Sequence, residues 1–192
     1  IDYFSADDNA RGVAAVLEAA RLLSKYEFNY TLVYAFWDQE VSRENGSQYY
    51  VIQAQQSKLD IKGVLAINMI GWDGDKDRLF DIHSSYIADY DSMAMRMASI
   101  NTIYDLDLSP EIYKRIEFTD HSTFIDAGYA GICLSEAIFG GDINPSFLDN
   151  TEDRIDKFDL SYFQDLSKLA IGSISTMVEF SPKDTFLVSV SP

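Results

Sequence analysis

Apolar positions along the chain follow two patterns, spaced and unbroken. Residues 9–25 place Val13, Val16, Leu17, Ala20 and Leu23 at the spacing of one helix face. Residues 30–37 (YTLVYAFW) form an unbroken β-branched and aromatic run, the signature of a strand covered on both faces. Residues 47–56 read as a helix, 63–70 (GVLAINMI) as a second buried strand and 79–83 as a third. Residues 90–102 predict a helix with Met93, Met97 and Ile100 on one face, and 130–135 (AGICLS) another strand. Residues 160–180 predict a long closing helix, with Phe163, Leu166, Ala170, Ile171, Ile174 and Met177 at core spacing. Strands that alternate with helices predict the α/β class: a three-layer sandwich in which a mostly parallel, mixed sheet is flanked by helices.

The pattern predicts one domain over residues 1–180 and an extended tail or linker over 181–192. The tail alternates Phe186, Val188 and Val190, which fits a final edge strand or the start of a linker. Residue 1 is Ile, not Met, and a helix pattern follows almost at once. The chain therefore reads as the C-terminal portion of a longer domain, lacking its N-terminal strands. A partner chain or a further segment is then expected to cover the exposed sheet edge.

Charge narrows the function classes. The 192 residues carry 15 Lys and Arg against 31 Asp and Glu, a net charge of −16. Such acidity argues against nucleic acid, whose phosphates require cationic side chains. It argues equally against an anionic membrane surface, and no apolar run reaches the ~18 residues of a membrane span. A hydrophobic content of 47% opposes disorder. The lone Cys133 excludes an internal disulfide and any Cys-rich zinc module.

Sites in such sheets lie beyond the C-terminal ends of the strands. Three segments qualify: 38–46, 71–77 and 136–156. Asp7 and Asp8 precede a helix, where an acidic N-cap is the plain reading and a rigidly held metal-bridging carboxylate the functional one. Asp38 and Glu40 follow a buried strand, as a loop rim or as a general base. Asp73, Asp75 and Asp77 alternate like a calcium loop but lack the closing Glu. Asp120 and His121 read as a satisfied structural pair or an orienting pair, and His83 as a core or rim histidine.

Taken in order, these motifs resemble one family, the zinc aminopeptidases with a co-catalytic two-metal site (metallopeptidase family twenty-eight). Its helix-opening motif reads here as residues 8–14, DNARGVA, and its strand and Glu-Glu loop as 36–41, FWDQEV, closing on Gly46 and Ser47. Its Asp-Met-Ile-Gly strand end reads as 68–71, NMIG; its Ser-Asp-His-x-x-Phe motif as 119–124, TDHSTF; its last loop as 144–158. The resemblance implies a zinc-exopeptidase (phosphorylase/hydrolase-like) fold, export from the cytoplasm to a secreted or periplasmic location, and a peptide or polypeptide N-terminus as partner.

The resemblance also implies roles. Asp8 matches the bridging metal ligand and Glu40 the catalytic general base. Asn68 stands where a ligand Asp is expected, Val41 where a ligand Glu is expected, and Asp149 (or Leu148) where a ligand His is expected. Asp120 and His121 match a non-ligand motif beside the pocket. Zinc is therefore expected to be weak or absent, with Ca²⁺, Mg²⁺ or Mn²⁺ on an all-oxygen set as the alternative. The implied function is a non-catalytic or impaired peptide-binding or structural module. The alternative is an active metallo-aminopeptidase with a rebuilt or upstream-completed site and Glu40 as base.

Overall fold

The computed structural model describes residues 5–38, 46–85, 88–114, 119–139, 151–179 and 185–190. Six strands form one sheet: β1 (Leu32–Phe36), β2 (Ile61–Ile67), β3 (Leu79–Ser84), β4 (Ser109–Lys114), β5 (Gly131–Glu136) and β6 (Thr185–Val190). Their order is β1-β6-β2-β5-β3-β4. All neighbours are parallel except β3 and β5, so the sheet is mixed as expected. The helices are α1 (Arg11–Leu23), α2 (Gly46–Gln56), α3 (Ala88–Tyr104), α4 (Asp120–Asp126) and α5 (Leu160–Glu179).

The helices sort onto two faces because strand side chains alternate. Leu65 and Ile67 of β2, Phe80 and Ile82 of β3, and Ile132 and Leu134 of β5 join one core with α1, α3 and α5. Met93, Met97 and Ile100, the predicted apolar face of α3, pack into that core. Val64 of β2 points the other way, into a smaller core with Val51 and Ala54 of α2 and Phe124 of α4. Coverage on both faces is why β2 and β5 read as unbroken apolar runs rather than alternating ones.

The tail departs from its sequence reading as an edge strand or a linker. β6 lies inside the sheet, paired in parallel with β1 on one side and β2 on the other. Inserted there, it satisfies backbone donors and acceptors of both neighbours, which otherwise would face unpaired edges. β4 and α4 were not legible in the apolar pattern. β4 (SPEIYK) is an edge strand with Pro110 and exposed charges, and α4 spans only seven residues. The register aligns Ile67 with Leu134 and Val190, and Val190 with Phe36. The C-terminal ends of β1, β2, β5 and β6 therefore open on one rim.

Leu134 is completely buried at the centre of the larger core, whereas Leu17 on α1 is 56% exposed. Leu134→Ala should cost about 2–5 kcal/mol. Leu17→Ala should change stability by less than about 0.5 kcal/mol. Urea denaturation of the two variants checks both values.

Candidate functional site

A wide turn over Ala6–Ala10 enters α1 at the strand rim. Asp8 and Asn9 leave helical geometry there, at φ −108°, ψ 85° and φ −141°, ψ 42°, and the peptide between them is cis. The buried Asn9 amide makes three bonds. Its Nδ2 donates to the carbonyl of Ile67 at 2.9 Å. Its Oδ1 accepts from Gly12 N–H at 3.2 Å, in the manner of a helix cap, and from Met69 N–H at 3.4 Å. One side chain thus starts α1 and grips β2 on both sides of Asn68. A side chain at position 12 would collide with this amide, so glycine is required there.

Asp153 holds the same turn from the opposite side. Its carboxylate accepts from the N–H groups of Asp7 (2.8 Å) and Asp8 (3.2 Å), and its carbonyl accepts from Ala6 N–H (3.3 Å). Beneath lies a buried ionic cluster. Arg11 Nη1 stands 3.8 Å from Asp7 Oδ1, and its guanidinium stacks 4.1 Å from the Phe158 ring centre. Burial lowers the Arg11 pKa, opposed by the charges of Asp7, Asp153, Glu136 and Asp159.

Glu136, completely buried at the end of β5, joins this cluster to the turn after β2. Its Oε2 accepts from Trp72 N–H at 2.8 Å, its N–H donates to Met69 carbonyl at 2.7 Å, and its carboxyl hydrogen-bonds Asp7. Burial first, and then Asp7, hold its pKa well above the usual carboxylate range. Gly71 passes so close to Arg11 and Asp7 that a Cβ there would collide with both. Asp159 ties Gly71 to the start of α5, donating its N–H to the Gly71 carbonyl at 3.2 Å while its carboxylate accepts from Ser161 and Tyr162.

Of the residues singled out in the sequence, Asp8 immediately precedes Asn9, whose side chain bonds the backbone on either side of Asn68. Asp8 is half-buried; Asn68 is 8% exposed, and its Oδ1 has no hydrogen-bond partner. Glu40, Val41, Leu148 and Asp149 lie outside the described residues. Asp120 and His121 are buried at the start of α4, on the face opposite α1. His121 Nδ1 pairs with Thr119 Oγ1 at 2.5 Å, and its ring faces His83, with centroids 6.4 Å apart. His83 Nε2 pairs with Ser135 Oγ at 2.6 Å. Asp73, Asp75 and Asp77 bring carboxylate oxygens within 4.8 Å of one another on a turn, where they accept its own N–H groups.

Sequence reasoning assigned no role to Arg11, Glu136 or Asp153, which build the site's foundation. A readable signal existed for Glu136, a carboxylate closing an apolar strand, AGICLSE. None existed for Arg11 or Asp153, whose importance comes from contacts far along the chain.

The buried histidines make the folded chain sensitive to acid. Burial lowers His83 to about 4, and burial followed by the neighbouring His83 lowers His121 to about 3. Unfolding frees both to bind protons at their ordinary value near 6.5, so stability is lost as pH falls below that value. Asp81 acts oppositely, since burial raises it to about 6 and its neutral form favours the folded chain. Glu136, also raised by burial, acts in the same direction as Asp81, so the two carboxyls oppose the two histidines in this window. Replacing one histidine, as His83→Leu, should shift the pH slope of stability there by about one proton, up to ~1.4 kcal/mol per pH unit, so that the variant loses less stability, or gains more, than the parent as pH falls; urea midpoints between pH 6 and 4 check it. At the carboxyl pair, Glu136→Gln should preserve stability because an amide both accepts from Trp72 and donates to Asp7. Glu136→Ala, leaving these groups unmet, should cost about 1–3 kcal/mol by the same denaturation.

The geometry has counterparts in known proteins. The structure resembles the LapA aminopeptidase of Legionella pneumophila at a TM-score of 0.77 and 22% identity, over 94% of this chain and 48% of that one. LapB of the same organism gives 0.75 and 23%, over 93% and 49%. BSAP, a zinc aminopeptidase from Bacillus subtilis, gives 0.69 and 16%, over 93% and 44%. At these identities the likeness is one of fold, and the chain spans about half the length of the structures it matches. No curated protein is matched by the sequence. The sequence profile described as Peptidase family M28 matches residues 2–174, nearly the whole chain. The chain therefore belongs to peptidase family M28.

Proposed function

We propose that this chain is an aminopeptidase-like domain that retains the family framework without a two-zinc centre, and acts as a non-catalytic or impaired peptide-binding or structural module. The observation that carries the reading is Asn68. It follows the end of β2, where the family resemblance calls for a ligand carboxylate, and offers a neutral carbonyl instead. A catalytic zinc takes three protein ligands, chiefly imidazole, thiolate and carboxylate. Val41 cannot coordinate a metal. The chain's two histidines, His83 and His121, are engaged with Ser135 and Thr119 within the sheet and its α4 side. Those donors do not fit two zinc ions, since affinity requires deprotonated ligands of the right type.

The framework side of the proposal rests on the family and on the rim. Asn9, Asp153 and Glu136 hold Asp8 and Asn68 in place whether or not a metal binds. LapA and BSAP are aminopeptidases by name, which supports a peptide as the ligand. None of the described helices is long and apolar enough to cross a membrane.

The test is zinc content by mass spectrometry on the full-length chain, equilibrated with zinc and dialysed, together with an assay on aminoacyl substrates. The proposal predicts well under one zinc per chain and no turnover. Retention of one or two zinc ions, with turnover abolished by Glu40→Gln, would overturn it and install the active metallo-aminopeptidase.

A further inference from the structure

The sequence holds two Asn-x-Ser/Thr tripeptides with no proline at the middle position, 29–31 (NYT) and 45–47 (NGS). Such a tripeptide is the acceptor sequence for an N-linked oligosaccharide, and the fold must leave room for a bulky, hydrated substituent at its Asn. The structure treats the two differently. Asn29 and Thr31 stand in the connection between α1 and β1, and both are exposed. Tyr30 between them is 7% exposed and packs into the larger core. The tyrosine anchors the segment while its two neighbours face solvent. Among the described residues, neither Asn29 nor Thr31 has a hydrogen-bond partner for its side chain. A substituent on the Asn29 amide therefore breaks no bond of the fold. At the other tripeptide, Ser47 is completely buried in the first turn of α2, and Gly46 N–H donates to the Asp38 carbonyl at 2.9 Å. Position also favours Asn29. β1, β6 and β2 are parallel, so the start of β1 lies at the end of the sheet opposite the rim. The five residues of β1 separate the two ends by about 17 Å. A glycan at Asn29 leaves the strand ends open.

From this placement we infer that Asn29 is an acceptor site for N-linked glycosylation when the chain is exported. The co-substrate is an oligosaccharide carried on a lipid diphosphate. In the transfer, Asn29 Nδ2 forms a bond to C1 of the first sugar, and the bond from C1 to the diphosphate oxygen breaks. The lipid diphosphate leaves with that electron pair, and the amide gives up one proton to solvent. The inference goes beyond the proposed function and is independent of what binds at the rim. Its condition, export, is the one the family resemblance implies.

The test uses the full-length chain secreted, behind a cleavable leader, from a cell whose secretory pathway holds an oligosaccharyl transferase. The same chain made in the cytosol is the control. Peptide N-glycanase converts a glycosylated Asn to Asp as it releases the sugar, and peptide mass spectrometry locates the conversion. The secreted chain should carry it at Asn29 and the cytosolic chain should not. Asn29→Gln and Thr31→Ala should each abolish the conversion at position 29, with the circular dichroism spectrum unchanged. Asn45→Gln should leave it in place. Thr31→Ala keeps the Asn29 amide, so its effect reports recognition of the tripeptide rather than loss of the nitrogen. A secreted chain whose Asn29 is unmodified would overturn the inference, as would a glycan confined to Asn45 or a conversion at Asn29 that survives Thr31→Ala. Secretion is imposed by the leader, so none of these outcomes depends on the natural location of the chain.

Discussion

The Asn9 side chain is the constraint on which the rest of the rim depends. A carboxamide offers an acceptor and two donors in a fixed plane, and here it joins three backbone groups from two distant segments. Gly12 belongs to α1, while Ile67 and Met69 bracket the end of β2. The bonds fix where the helix starts relative to the end of β2. Met69 accepts a left-handed φ of +50° to keep this arrangement. Gly12 and Gly71 are glycine because the amide and the Arg11–Asp7 pair leave no room for a Cβ. The family's motif glycines thus acquire a local physical reason.

Burying a cluster of charges under the rim carries a desolvation cost, and the chain meets it by sharing. Arg11 lies against Asp7 and between aromatic rings, burial and the neighbouring Asp7 raise the Glu136 pKa, and the Asp153 carboxylate accepts from two backbone N–H groups. The result is a rigid, electrically moderated floor rather than a field of free carboxylates. A strongly acidic chain can thereby keep a buried rim without mutual repulsion among its acids. The same logic separates the two polar regions of the sheet. On the α1 side the groups converge on the strand ends. On the α4 side His83, His121, Ser135 and Thr119 pair with one another inside the layer.

The fold was legible where burial dominates. The runs at 30–37, 63–70 and 130–135 are apolar because helices cover both of their faces, and that requirement is visible residue by residue. β4 was not legible because an edge strand can carry Pro110, Glu111 and Lys114. β6 was legible as a strand but not as an interior one, since its place depends on backbone pairing with β1 and β2 rather than on its own pattern. At the site, Asp8 and Asn68 were singled out through motif order. Asp153 was missed because its partners, Asp7 and Asp8, lie more than a hundred residues away; Arg11 pairs with the nearby Asp7, but its stacking on Phe158 and its bond to Ile155 come from equally distant positions. Spacing along a chain says nothing about such contacts.

The central claim is that the framework survives while the metal donors have been exchanged. It is tested most directly by putting the donors back. In the full-length chain, Val41→Glu, Asn68→Asp and Asp149→His would be combined, and zinc affinity compared with the parent by competition against a chromogenic chelator. The account predicts that the restored chain binds zinc at least about a hundredfold more tightly than the parent, since metal-site ligands and their supports are each worth roughly tenfold or more. Equal affinity in the two chains would contradict it, whether because the parent already holds zinc tightly or because the rim no longer supports a metal at all.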